Sequence, residues 1–289
     1  MLSNYFGAYM MHEPTLMAYE RLARTALAKG EIPSFMQMAE NARAGRKMEL
    51  IPAKGSNWTA GYDDYLSYAK KLNTPRAPIF EISGALSRHG ECNKGYEDIM
   101  GVIHAAKEDE EVKVLGLKID TPGGGVDGVV GVSEAIVEAK KAGTRVEIWG
   151  GFIASAGVHL SSHANGITLD KQKVSEIGSI GTLMMYINQK EALEKQGLKP
   201  QIIRATKSTA KASFNSIEEP SEEMIADEIK ILDELNAEFH GYVRRGRRGK
   251  LTSDEWEDAR MFNAKDALRV GLIDNVMGLY EWKLYLNKF

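Results

Sequence analysis

VKVLGLKIDTPGGGVDGVVGVSEAIVEAKKAGTRVEIWG, residues 112–150, reads as strand, glycine turn, helix and second strand. VKVLGLKID is strand-like and is stopped by Thr121, Pro122 and three glycines. Val126, Val129, Val130, Ile136 and Val137 then recur at helical spacing, and RVEIWG returns to strand composition. Two strands joined through a helix are parallel neighbours, because a parallel pair needs a crossover connection. The text on either side repeats this alternation. Before it stand IFEISGAL and a helical stripe of Tyr96, Ile99, Met100, Ile103 and Ala106. After it come a short helix over residues 154–162, strands at ITL, IGTLMMYI and PQIIRA, and a helix at NQKEALEKQG. A long helix follows Pro220, capped by Ser221, with Ile225, Ile229, Leu232, Leu235, Phe239 and Val243 as its apolar face. The class expected is α/β. Thr74-Pro75-Arg76-Ala77-Pro78 marks a boundary between an N-terminal helical arm, residues 1–75, with an amphipathic helix over 14–29, and a main domain, residues 76–289.

The 289 residues are enough to bury a real core, and 43% apolar with 27% charged residues is a globular balance. With 37 Lys and Arg against 40 Asp and Glu, the net charge of −3 gives no global attraction to nucleic acid. The single cysteine, Cys92, makes no internal disulfide and reads as a small buried residue, which suits a reducing, cytoplasmic setting. No export signal or membrane span is expected, since no run of eighteen apolar residues occurs.

Three segments carry candidate chemistry. The glycine turn brings backbone amides within reach of a ligand at a helix start. Gly123, Gly125 and Gly128 match GxGxxG with Glu147 nineteen residues on, a dinucleotide pattern, but the same amides suit an oxyanion, and a plain turn is the third reading. Ser155, between Ala154 and Ala156 at a strand-to-helix junction, is either a helix cap or a nucleophile. A serine nucleophile needs a base: His159 shares its helix and has HxxxH spacing with His163, though a packed histidine is the simpler account, while Lys207 and Lys211 follow the strand PQIIRA. RRGRRGK, residues 244–250, reads as the cationic end of the long helix, with Gly246 and Gly249 as stops.

In order along the chain, IDTPGGGVDG, ASAGVHLSSHANGIT, Ile177-Gly178-Ser179-Ile180-Gly181 and the tail Phe262-Asn263-Ala264-Lys265-Asp266-Ala267 with Gly271-Leu272-Ile273-Asp274 resemble the signal peptide peptidase A family of serine peptidases, which includes phage prohead proteases. Departures are small: Ala156 stands for a glycine, His159 for an aromatic and Ala264 for a glycine. The resemblance implies a Clp protease/crotonase-like fold and a Ser-Lys dyad without metal or other cofactor. It makes Ser155 the nucleophile, Gly124 and the Ala156 amide the oxyanion hole, and Ser179 the group orienting the lysine. Ungapped carry-over from Gly197 falls on Thr209, between Lys207 and Lys211; a two-residue slip selects Lys211. Such a base must be neutral, hence buried in the assembled site.

The reading expected is therefore a serine endopeptidase of the phage or prophage head-maturation branch. It would act in the host cytoplasm or prohead interior on capsid or scaffold proteins, as a homo-oligomer built through the long helix and the N-terminal arm. Its rivals are a dinucleotide-binding oxidoreductase using the glycine turn and a non-catalytic scaffold that keeps the fold.

Overall fold

The structure, a computed structural model, describes residues 9–11, 77–90 and 94–289. In chain order these form β1 (Tyr9–Met11), β2 (Ile79–Ser83), α1 (Tyr96–Glu108), β3 (Val114–Thr121), β4 (Gly123–Gly125), α2 (Val129–Lys141), β5 (Arg145–Ala154) and α3 (Ala156–Ser161). There follow β6 (Gly166–Leu169), β7 (Glu176–Gly178), α4 (Lys190–Lys195), α5 (Glu222–Gly246), β8 (Met261–Asn263), α6 (Ala264–Val270), β9 (Asn275–Val276) and α7 (Leu279–Leu286). The helix expected over 14–29, most of the arm and Cys92 lie outside the described residues.

The class is α/β. Strands β2-β3-β5-β6-β9 form a parallel sheet in that order. Successive residues of β3 face opposite sides, which divides the core. Leu115 and Leu117 join Ile99, Ile103, Val132 and Ile136 beneath α1 and α2, whereas Val114 packs with Trp149 against Trp282 and Leu286 of α7. Gly116 lets α7 close, because a Cβ there would lie 2.8 Å from the Trp282 ring.

β5 forks. Residues 147–150 pair with β6, but Phe152, Ile153 and Ala154 pair with β7, which carries β8 antiparallel on its other edge. The fork coincides with a register shift against β3, where Ile119 opposes Gly150 and Asp120 opposes Phe152, leaving Gly151 as the extra residue. The strand is thereby re-aimed just before Ser155.

Two expectations need correction. IGTLMMYI forms no strand beyond a single bridge at Leu183, and PQIIRA is not a strand: Ile203 is 86% exposed, and among the described residues no edge takes the backbone hydrogen bonds of that run, so it gains nothing by extending. α5 keeps its cap, Met224 N–H donating to Ser221 Oγ at 3.2 Å, but of the predicted face only Phe239 and Val243 are buried, with Ile225 and Ile229 exposed. RRGRRGK does end α5, at Gly246 with Arg244 and Arg245 in the last turn, and Arg247 at its C-cap is buried, donates to the Gly271 carbonyl at 3.1 and 2.9 Å, and pairs with Asp274 at 2.7 Å.

Candidate active site

Ser155 ends β5 and begins α3 with φ 54° and ψ −115°, and its side chain makes no cap hydrogen bond. The cap reading fails on that geometry. A non-glycine residue in such a conformation costs about 1–3 kcal/mol and persists only where the surroundings impose it. They do so here: Ser155 N–H donates to the Gly178 carbonyl at 2.8 Å, its carbonyl accepts from Val158 at 2.8 Å and His159 at 3.1 Å, and its hydroxyl donates to the Gly181 carbonyl at 3.5 Å. A sharp strand-to-helix turn that presents a serine hydroxyl is the geometry of a nucleophile elbow. The Ala156 amide lies in the first turn of α3, where helix geometry leaves it no helical partner. Ser155 is fully buried.

Gly157 admits α3 to the end of β3, since a Cβ there would lie 2.5 Å from Thr121 Cγ2. The three glycines form strand β4 rather than a phosphate-cradling loop. Leu86 N–H donates to the Gly123 carbonyl and Gly125 N–H to the Leu86 carbonyl, both at 2.9 Å. Thr121 Oγ1 donates to the Gly84 carbonyl at 2.6 Å and accepts from Gly123 N–H at 3.1 Å, and buried Tyr96 donates its hydroxyl to the Gly125 carbonyl at 2.8 Å. Burial pushes the Tyr96 phenol up, keeping it a donor. A Cβ on Gly124 would fall 1.8 Å from the Leu86 carbonyl oxygen, which is why glycine stands there. Glu147, required by the dinucleotide reading, opposes Gly116 low on β5, fully buried and paired with Arg145 at 2.5 Å, while the glycines follow the other end of β3. The two never meet.

Ser179 also has positive φ, 56°, and its N–H donates to the Arg260 carbonyl at 3.2 Å. The next carbonyl, of Ile180, accepts from His240 Nε2 of α5 at 3.2 Å. His240, Tyr96 and Thr121 are supports that motif reading did not single out; the available signal was their place beside apolar stripes.

His159 is not a base for Ser155. Its Nδ1 meets Ser133 Oγ at 2.9 Å and its ring lies 4.6 Å from that of Tyr242; burial, then the neighbouring His163 and Arg245, push it down to about 3. His163, beside Ser162 Oγ at 3.0 Å, is lowered to about 4 by burial. Among the described residues no three His, Cys, Asp or Glu side chains gather as a metal site.

The lysines stand apart. Lys207 and Lys211 are both exposed in the turns of residues 205–213, so the expected burial of Lys211 does not hold in the single chain. Arg204 gathers this loop, donating to the carbonyls of Lys211 and Ala212 at 2.6 Å each and pairing with Glu218 at 2.6 Å. Glu218 is held down to about 2 by that arginine and by Asn215. Among the described residues the Gly181 carbonyl is the partner of Ser155 Oγ; neither lysine reaches it. A concavity of about 860 Å³ lined by Asn188, Lys190, Glu191, Gln201 and Glu218 lies near this loop and contains none of the candidate residues.

The model of Peptidase family S49 matches residues 138–286, more than half of the chain. The chain belongs to this family. The match includes Ser155, Ser179 and both lysines and begins after the glycine strand. Protease 4 of Haemophilus influenzae is 24% identical to this S49 chain over 254 residues, 82% of the chain and 40% of the relative. Capsid assembly protease C of Escherichia phage lambda is 31% identical over 205 residues, 68% of the chain and 45% of the relative. The S49 chain thus spans about two fifths of the length of these relatives, 40% and 45%. Among solved structures, the ClpP1 N165D mutant from Listeria monocytogenes aligns with a TM-score of 0.45 at 14% identity, covering 74% of the chain and 98% of that structure. Among the described residues no helix is long and apolar enough to cross a membrane.

Proposed function

We propose that this S49 chain is a serine endopeptidase of Clp protease/crotonase-like fold working through a Ser-Lys dyad. Ser155 Oγ attacks the scissile carbonyl, a neutral lysine takes its proton and returns it to the leaving amine, and the Gly124 and Ala156 amides hold the tetrahedral oxyanion. Lys211 is the assigned base and Ser179 orients it. The observation that carries the reading is the backbone of Ser155, held at positive φ with its side chain released from capping.

The lysine loop must then close on Ser155. Leu198 and Ile203, 55% and 86% exposed, flank it, and Ile225, Ile229 and Ile231 are exposed on α5. Covering these residues with a second copy would exclude water from the loop and favour a neutral lysine. We accordingly assign a homo-oligomer as the active form. The likeness to a capsid assembly protease supports a head-maturation role in a host cytoplasm or prohead, with capsid or scaffold proteins as substrates. Nothing in this mechanism calls for a metal or nucleotide.

A fluorophosphonate probe tests the nucleophile: the intact protein labels at Ser155, and Ser155→Ala removes both the label and casein hydrolysis while leaving the circular dichroism spectrum unchanged. Proteolysis retained by pure Ser155→Ala protein would sink the assignment.

A further inference from the structure

The edge of the glycine strand is already occupied by the chain itself. β1 pairs antiparallel with β4, with Tyr9 opposite Gly125, Met10 opposite Gly124 and Met11 opposite Gly123. Which of these pairs exchanges hydrogen bonds follows from the other edge. The Gly123 carbonyl and the Gly125 amide both face Leu86, at 2.9 Å. Backbone groups of successive strand residues point to opposite edges, so the Gly124 amide and carbonyl face β1. In an antiparallel ladder the bonded and non-bonded pairs alternate, which makes Met10 and Gly124 the bonded pair: the Gly124 N–H donates to the Met10 carbonyl, and the Met10 N–H donates to the Gly124 carbonyl. The Met10 carbonyl therefore stands on the amide assigned above to the oxyanion hole. Ser155, meanwhile, is fully buried. Both observations describe a closed site.

We propose that residues 9–11 are an internal competitor for substrate, an extended segment whose backbone takes the β4 edge and must leave before a peptide can be read there. Its role as a competitor rests on the peptidase reading; its place on the edge does not. The recognition is β-strand addition, in which main-chain hydrogen bonds supply the binding and little depends on side chains. Substrate proteins would then have to displace β1, and anything that draws the N-terminal segment away would switch the enzyme on.

Proline distinguishes the two parities of the strand, because it deletes one N–H and is tolerated where that N–H faces away from the partner. In the full-length chain, Met10→Pro removes a ladder bond, Met11→Pro does not, and Met10→Leu keeps the backbone intact. Hydrogen exchange read by mass spectrometry over residues 123–125 is expected to be slow in the intact protein, Met10→Leu and Met11→Pro, and about tenfold faster or more in Met10→Pro, the loss of roughly 1.4 kcal/mol of protection. Fluorophosphonate labelling of Ser155 should accelerate in Met10→Pro alone. Exchange that ignores Met10→Pro, or responds equally to proline at 10 and 11, overturns the pairing. Faster exchange with an unchanged labelling rate overturns the competition. A serine that labels in none of the four proteins overturns the peptidase reading instead, and exchange still decides where β1 lies.

Discussion

Ser155 concentrates the argument because its backbone is in a conformation that its side chain makes costly. Replacing it with glycine removes the Cβ penalty at φ 54°, so Ser155→Gly should raise stability by about 1–2 kcal/mol while abolishing fluorophosphonate labelling. Thermal denaturation beside the labelling assay checks this; a Ser155→Gly protein less stable than the parent would mean the turn is not strained. Gly124 offers no such clean separation, since a side chain there meets the Leu86 backbone at 1.8 Å and disturbs packing whatever the amide does. For the base, Lys211→Met should eliminate hydrolysis and Lys207→Ala largely preserve it, with the parent's activity rising on the alkaline side as the base loses its proton. The reverse pattern moves the role to Lys207, and indifference to both removes the dyad. Ser155 was legible as a candidate because a strand-to-helix junction is local; the roles given to Gly124 and Ser179 came with the family resemblance, and the choice between Lys207 and Lys211 had no local signal, because two residues of loop carry no periodicity.

At the scale of elements, α5 is the one whose sequence and surroundings disagree. Its C-terminal half buries Phe239, His240 and Val243, whereas Ile225, Ile229 and Ile231 of the N-terminal half are exposed. An apolar face without a partner among the described residues points to a partner outside them. Ile225→Asp with Ile229→Asp should leave the helix formed, because neither side chain joins the core, yet shift the assembly to a monomer near 32 kDa. Light scattering reads the mass, and a parent protein that is itself an active monomer would refute the oligomer. The same reasoning explains PQIIRA: a β-prone run reads as a strand, but a strand also needs an edge, and which edge is a question the run cannot answer.

For the whole molecule, the buried histidines set a pH limit. His159 and His163 lie against Ser133, Tyr242, Lys140 and Arg245 and are lowered to about 3 and about 4, chiefly by burial. An unfolded histidine titrates near pH 6.5, so the unfolded chain binds protons first; stability is full above about 6.5 and is lost as the pH falls toward 4, by roughly 1.4 kcal/mol per pH unit for buried His159 and by less for the partly exposed His163, which solvent screens. Denaturant midpoints measured from pH 7 to 4.5 should show this fall, and His163→Gln should remove the smaller part of its slope; a flat profile would mean the histidines are not buried neutral. By itself the sequence determined the βαβ alternation, the glycine turn and the serine junction, because hydrophobic period, turn residues and capping act over a few residues at a time. Tertiary structure alone decided that the glycines are a strand pinned by Leu86 and Tyr96, that Ser155 is a strained turn rather than a cap, that Arg247 is a buried anchor for Asp274, and that residues 9–11 lie on β4. Each of these depends on which distant backbone group arrives as a partner, and hydrogen bonds between residues far apart in the chain leave no mark in the local text.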